Sequence, residues 1–228
     1  VAEPDALRTP CFLDHHGDLL ASRRREGRVV EGHGDLHLAN MVRRDGELLP
    51  FDAIEFDPGL RFIDAIADIA FTWMDLLARE RRDLGTYFLD AYLERTGDYD
   101  GVRLLPFYTV YRALVRAKVA ALQAGEAGGE EAMALGGQAE GYFHLAEDVA
   151  RSDSGLLVIA CGVTGVGKSL ASGPVLAELG GVRIRSDVER KRLAGLAAEE
   201  SGADEVGEGI YSPELSARTY DRLLTLAR

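Results

Sequence analysis

The chain has 228 residues, 46% of them hydrophobic, and a formal net charge of −12. That length admits one or two domains, the apolar fraction supports a packed core, and the acidic balance argues against broad binding to nucleic-acid phosphates or anionic lipid. Its two cysteines, Cys11 and Cys161, lie far apart in sequence, which argues against a disulfide scaffold. No apolar run is long enough to span a bilayer. The first residues, VAEPDALRTP, hold neither an initiating Met nor the apolar stretch of a signal peptide. The expectation is a soluble cytoplasmic protein cut from a longer chain, with no nucleic acid or membrane among its partners.

In chain order, residues 1–28 are polar and predict one short helix or loop. Two strand candidates follow, RVVEGHG and NMVRRDGELLPFD, and Asp45-Gly46 inside the second is a hairpin turn signal. From Arg61 the apolar spacing becomes helical: RFIDAIADIAFTWMDLLARE, LGTYFLDAYLERTGD with Gly97 as C-cap, LLPFYTVYRALVRAKVAAL and MALGGQAEGYFHLAEDVAR. The Gly-rich QAGEAGGEEA at 123–132 reads as a loop. At RSDSG the texture changes again. GLLVIACG, an unbroken apolar run between glycines, predicts a strand buried on both faces of a parallel sheet. A helix to Leu179, a strand VRIRS, a helix DVERKRLAGL, a polar loop over 197–211 and a last helix with Ser212 as N-cap and Pro213 at N1 complete the chain. The expected fold is therefore a two-domain α/β and α+β chain, with a mostly helical domain carrying a β-hairpin over 1–150 and the start of an α/β parallel-sheet domain over 154–228.

Two stretches carry chemistry. In HGDLHLAN, His33, Asp35 and Asn40 precede the hairpin, and PFDAIEFD brings Asp52 back from its return strand. A tight hairpin returns its far end beside its start, which sets Asn40 next to Asp52 with Asp35 nearby. One amide oxygen and carboxylates at such an edge suit Mg²⁺, and a carboxylate off the metal can take a hydroxyl proton, the parts needed for phosphoryl transfer. A carboxylate at a helix start, as at Asp64 and Asp68, is by itself a dipole or cap partner. Phe71, Trp73 and Met74 fit a core stripe, His37 a supporting loop residue, and Arg112, Arg116 and Lys118 a solvated helix face. The second stretch, GVTGVGKS at 162–169, fits G-x-x-x-x-G-K-[ST] between a predicted strand and a predicted helix. Its backbone N–H groups would surround a phosphate at a helix N-terminus. Gly162, Gly165, Val166 and Gly167 form the cradle, Lys168 reaches the β/γ-phosphates of ATP, and Ser169 can hold Mg²⁺. Asp187, past the next strand, is a candidate to orient an acceptor hydroxyl or to cap its helix.

The spacing of HGDLHLAN, with FDAIEFD and LRFIDAIADIAF, resembles the aminoglycoside phosphotransferase family, which has the protein-kinase-like fold. The resemblance implies that Asp35 is the catalytic base, that Asn40 and Asp52 are Mg²⁺ ligands, and that Asp64 and Asp68 support the site. It also implies an N-lobe of about a hundred residues ahead of the loop, whereas about thirty precede it here. The later segment resembles small P-loop kinases of the zeta-toxin, polynucleotide-kinase and gluconate-kinase type, in which an Asp at the place of Asp187 acts on the acceptor hydroxyl. The order of the halves, with YRALVRAKVAAL and RSDVERKRLAGL, resembles bacterial proteins that join an aminoglycoside phosphotransferase-like domain to an AAA-type ATP-binding domain. The expectation is an ATP- and Mg²⁺-dependent kinase acting on a small-molecule hydroxyl, present as an internal fragment with weak or no turnover. The alternative is an ATP-binding regulatory module or P-loop ATPase whose first half transfers nothing.

Overall fold

The computed structural model describes residues 9–152, 155–163, 166–198, 200 and 209–227. It divides into two compact units, Val1–Arg81 with Val102–Ser154, and Arg82–Gly101 with Gly155–Arg228.

In the first unit, helix α1 (Thr9–Arg25) leads to β1 (Val29–Glu31), which pairs antiparallel with β4 (Phe62–Asp64) in the register Val29 to Asp64. Between them lies the hairpin β2 (Met41–Arg44) and β3 (Glu47–Pro50), with Met41 opposite Pro50 and Arg44 opposite Glu47. Asp45 and Gly46 turn it with φ of 53° and 88°, the left-handed pair that a two-residue hairpin turn of this hand requires. The short helix α2 (Pro58–Arg61) is capped by the Asp57 carboxylate, which accepts from the Gly59 amide. Helix α3 (Ala65–Ala78) is the buried centre of the unit: Ile66, Ala70, Phe71 and Met74 are all within 1% of full burial. Helices α5 (Leu105–Glu126) and α6 (Gly129–Arg151) pack on it, and Phe71, Met74, Ala113 and Ala146 form a shared core. The loop expected over 123–132 shrinks to two residues, because the helices run up to Glu126 and restart at Gly129. Arg23 and Asp64 form a buried two-bond ion pair at 2.6 and 2.7 Å that ties α1 to the start of α3, where Asp64 also caps the Ile66 amide.

The second unit contains α4 (Arg82–Thr96), α7 (Lys168–Leu179), α8 (Ser186–Leu193) and α9 (Pro213–Leu226). Sequence reading assigns α4 to residues 1–150, yet it belongs to this unit. Gly97 follows α4 with φ of 67°, and its amide bonds the Leu93 carbonyl at 2.8 Å, the left-handed helix stop that the glycine predicts. Ser212 caps α9 through the Leu215 amide, with Pro213 in the first turn. Buried residues Leu89, Leu93, Tyr99, Val188 and Ile210 lie in this unit.

One expectation fails. No parallel strand pairing occurs among the described residues, whose sheets are two antiparallel pairs. The run expected as a doubly buried strand is not paired, and Leu156, Leu157, Val158 and Ile159 are 59 to 75% exposed. VRIRS is likewise unpaired, although partly buried. A parallel strand satisfies its N–H and C=O groups only on neighbouring strands, and the described residues supply none. Among them, no helix is long and apolar enough to cross a membrane.

Candidate functional site

The chemistry-bearing residues gather in two places, one in each unit. In the first unit, the segment His33–Asn40 runs from β1 into a single 3₁₀ turn (Leu38–Asn40) that opens the hairpin. The Asn40 side-chain amide donates to both the Asp35 carbonyl and Asp35 Oδ2, each at 3.0 Å. His37 lies on the same carboxylate oxygen, with Nε2 3.4 Å from Oδ2. Its Nδ1 accepts from the Ala39 amide at 3.2 Å, so the ring proton sits on Nε2 and points at the carboxylate. His33 has the same tautomer: Nδ1 accepts from the Asp35 amide and Nε2 donates to the Phe51 carbonyl at 2.8 Å. Asp35 Oδ1 and Asn40 Oδ1 take part in none of these bonds. The His37 hydrogen bond holds the Asp35 carboxyl below its ordinary range, against the upward push of partial burial and with further help from Asn40.

The hairpin places Asp52 by its backbone. The Phe51 amide donates to the Asn40 carbonyl at 3.0 Å, and the Ile54 amide to the His33 carbonyl at 3.0 Å. Asp52 lies between those two ties, exposed, with φ of 61°. Asp35, Asn40 and Asp52 thus belong to one neighbourhood. Among the described residues, no group of three or more His, Cys, Asp or Glu side chains converges tightly enough to hold a metal ion unaided.

The loop is held by one face of α3. Asp68 accepts from the His33 and Gly34 amides at 2.7 and 2.9 Å. Thr72 donates its hydroxyl to the Leu36 carbonyl at 2.7 Å, and Asp75 accepts from the Leu38 amide at 3.0 Å. Residues 68, 72 and 75 fall on one helix face by the i, i+4, i+7 rule, so one side of α3 fixes four backbone groups of the loop. Asp68 is in the first helical turn, but its oxygens are spent on the loop. Three polar side chains at that spacing in an otherwise apolar helix were the available signal. Phe71 faces the same way and meets the His37 ring edge-on, 5.3 Å between centroids. Arg112 is not on a solvated face as expected. It is buried over the Phe71 ring at 4.7 Å and donates to the Ala67 carbonyl.

In the second unit, Gly162, Val166, Gly167, Lys168 and Ser169 surround the start of α7, and Gly165 lies outside the described residues. Gly162 and Gly167 have φ of 150° and 90°, conformations that side chains rarely adopt. A Cβ on Gly162 would sit 3.0 Å from Val166 Cγ1. Lys168 is the first residue of α7 and folds back into the loop, its Nζ donating to the Gly162 and Val163 carbonyls at 2.7 and 2.8 Å. An ammonium and a helix N-terminus therefore share one small loop, the electrostatic arrangement that attracts phosphate. Asp187 is in the first turn of α8 and pairs with Lys191 at 3.4 Å. It does not act as the cap, a position held by Arg185 without a side-chain bond.

Comparison with known proteins agrees with the second place. Residues 157–228 match the AAA domain family. The match supports P-loop, nucleotide-binding and kinase-like character for this segment, which contains the G-x-x-x-x-G-K-[ST] stretch of residues 162–169. Over 219 residues, 95% of this chain, it is 36% identical to the uncharacterized protein Rv2004c of Mycobacterium tuberculosis and equally to the uncharacterized protein Mb2027c of Mycobacterium bovis. The chain spans 43% of the length of those relatives. No solved structure matches it.

Proposed function

We propose that the chain is part of an ATP-dependent phosphotransferase that acts on a small-molecule hydroxyl. In this reading the HGDLHLAN loop performs transfer and the P-loop unit is a second ATP-binding, kinase-like element. The observation that carries it is the Asn40 amide fixed on Asp35. That bond leaves the Asp35 carboxylate one oxygen for an acceptor hydroxyl and leaves the Asn40 carbonyl oxygen for a cation. Asp35 would take the hydroxyl proton as that oxygen bonds to phosphorus and the bond to the nucleotide breaks. His37 and Asn40 hold Oδ2, so the proton goes to Oδ1. Asn40 and Asp52 are oxygen donors of the type Mg²⁺ prefers, and two protein ligands suffice where phosphate oxygens and water complete the shell. When bound, the ion would neutralise phosphate charge. Ser169 would serve the ion at the P-loop, where Lys168 exchanges its two carbonyl partners for phosphate oxygens. Asp187, half-buried on the first turn of α8, is the candidate base there.

The test is transfer of label from γ-³²P-ATP to a panel of sugars, amino alcohols and nucleosides, with Asp35→Asn and Lys168→Ala measured beside the parent chain. Asp35→Asn should remove transfer, however slow, while leaving ATP binding at the P-loop. Lys168→Ala should remove that binding. Transfer unaffected by Asp35→Asn would overturn the reading of the first unit.

A further inference from the structure

The segment matched to the AAA domain begins at residue 157, yet α4, far upstream in the chain, belongs to the same compact unit. What joins them is a set of arginines. Arg183 Nη2 lies 2.5 Å from Asp90 Oδ2 and 3.3 Å from Glu94 Oε1. Its other amino group, Nη1, donates to the Ser169 carbonyl at 3.1 Å and faces Ser172 Oγ at 3.4 Å. Arg185 Nη1 holds both oxygens of Glu94 at 3.3 Å, and Arg192 Nη2 donates to the Leu93 and Glu94 carbonyls that end α4. Asp90 is 8% exposed.

The geometry of the Asp90–Arg183 pair argues against a role confined to stability. A carboxylate and a guanidinium bind most strongly as two parallel bonds. Here Asp90 Oδ1 and Arg183 Nε are buried and find no hydrogen-bond partner among the described residues. The guanidinium instead divides its two amino groups, one for the carboxylate and one for the backbone of α7. Ser169 lies in the first turn of that helix, directly after Lys168, so the turn that Arg183 grips is the one that would meet the phosphates.

Resting on the nucleotide-loop reading, we propose that Asp90 and Arg183 are positioning residues of the P-loop: Asp90 orients Arg183, and Arg183 fixes the first turn of α7. The nucleotide-binding unit therefore includes α4. Because Ser169 would carry the metal contact, the effect should fall on the Mg²⁺-dependent part of ATP binding.

The experiment is calorimetric titration of the full chain with ATP, once with excess Mg²⁺ and once with EDTA. Arg183→Gln should weaken Mg·ATP binding about tenfold, the worth of one hydrogen bond to a charged group, and ATP in EDTA less than about threefold. Asp90→Asn should show the same selectivity, and the double variant should bind no more weakly than Arg183→Gln, as expected of two residues acting in series. Arg183→Lys keeps the charge but cannot span both partners, so it should share the selective loss and serves if the glutamine variant does not fold. Equal losses with and without Mg²⁺, no loss, or additive losses in the double variant would overturn the positioning role while ATP binding remained. A parent chain that binds no ATP, or a Lys168→Ala variant that binds it normally, would overturn the nucleotide reading and this inference with it.

Discussion

The grip of Asp68 on the His33–Gly34 backbone can be tested by Asp68→Asn. The side chain is 7% exposed and accepts two amide bonds, at 2.7 and 2.9 Å. A hydrogen bond to a charged group contributes about 1.5–3 kcal/mol, and leaving a buried donor unpaired costs a similar amount. Asparagine keeps one acceptor oxygen and turns an NH₂ toward the other amide. One bond is lost and two donors face each other, offset by removal of the buried charge. The expected net loss is about 2 kcal/mol, rising to about 3 kcal/mol in Asp68→Ala, where both amides lose their partner. A carboxylate serving only the helix dipole would contribute about 0.3–1 kcal/mol and would not touch the loop. Residue-resolved hydrogen exchange separates the two accounts. The His33 and Gly34 amides should exchange roughly 30-fold faster in Asp68→Asn if the 2 kcal/mol acts on local opening, while the α5 amides change little. Unchanged protection at 33 and 34, together with a loss of stability below about 1 kcal/mol in urea, would show that Asp68 does not hold the loop. Gly32→Ala tests the same contact from the other side, because a Cβ there would overlap Asp68 Oδ2.

Three further outcomes are expected. Arg23→Ala leaves Asp64 buried without its ion-pair partner, and should cost about 3–5 kcal/mol in urea unfolding of the first unit. Gly97→Ala forces a side chain into φ of 67°, with its Cβ 2.7 Å from Arg192 Nε, and should lower stability by about 1–2 kcal/mol with the loss registered by helix signals from α4 and α8. Burial pushes the Tyr108 phenol up to about 12, with the Asp64 charge adding to the shift. A raised pKa favours the neutral folded form, so its stabilising contribution is intact below about pH 10 and is lost as pH rises through 12; burial also raises Tyr99, so ultraviolet titration should show a late-ionising component that shrinks by one tyrosine in Tyr108→Phe.

Helices α3, α4, α5 and α6 were legible because each carries apolar residues at helical spacing, and the hairpin because Asp45-Gly46 names its own turn; α1, in a polar stretch expected as one short helix or loop, runs 17 residues, and α2 was not expected. Local signals failed where the deciding contact is distant. Phe62–Asp64 reads as the start of a helix, but its three residues pair with Val29–Glu31 as β4, a partnership no window around residue 62 contains. Glycine-rich 123–132 reads as a loop, yet α5 and α6 pack tightly enough on each other and on α3 for helix to continue through most of it. The unbroken apolar run after Gly155 has the composition of a buried strand but no strand beside it. The backbone nearness of Asp35, Asn40 and Asp52 was legible because hairpin geometry makes sequence spacing a spatial statement. Support by Asp68 was implied only through the family resemblance, and the hold of Thr72 and Asp75 was not legible at all, since the same residues on a free helix would be a dipole partner and two polar surface groups. Arg112 misled for the opposite reason: a charge on a helix reads as exposed, whereas here it stacks on Phe71 and caps no solvent face.

The charge of −12 invites the view that the chain prefers a cationic acceptor, but the buried carboxylates are already engaged. Asp64 is taken by Arg23, Asp68 by two amides, Asp75 by the Leu38 amide and the Tyr142 hydroxyl, and Asp98 by the Tyr92 hydroxyl. In the second unit Asp90 is taken by Arg183, and Glu189 by Arg192 and Arg222. Buried charges persist only when matched in this way, so the charge of these acids carries no information about a substrate, even where, as at Asp90, the partner reaches on to α7. Asp35 and Asp52 differ. The Asp35 side chain is 38% exposed with one oxygen outside its hydrogen bonds, and Asp52 is exposed beside it along the backbone. A carboxylate that keeps water as a partner can trade that water for a hydroxyl or a cation at little cost, whereas Asp68 could do so only by releasing the loop. If the proposed transfer holds, the charge of its acceptor would be set by what surrounds Asp35 and Asp52, and net composition is the wrong place to look for it.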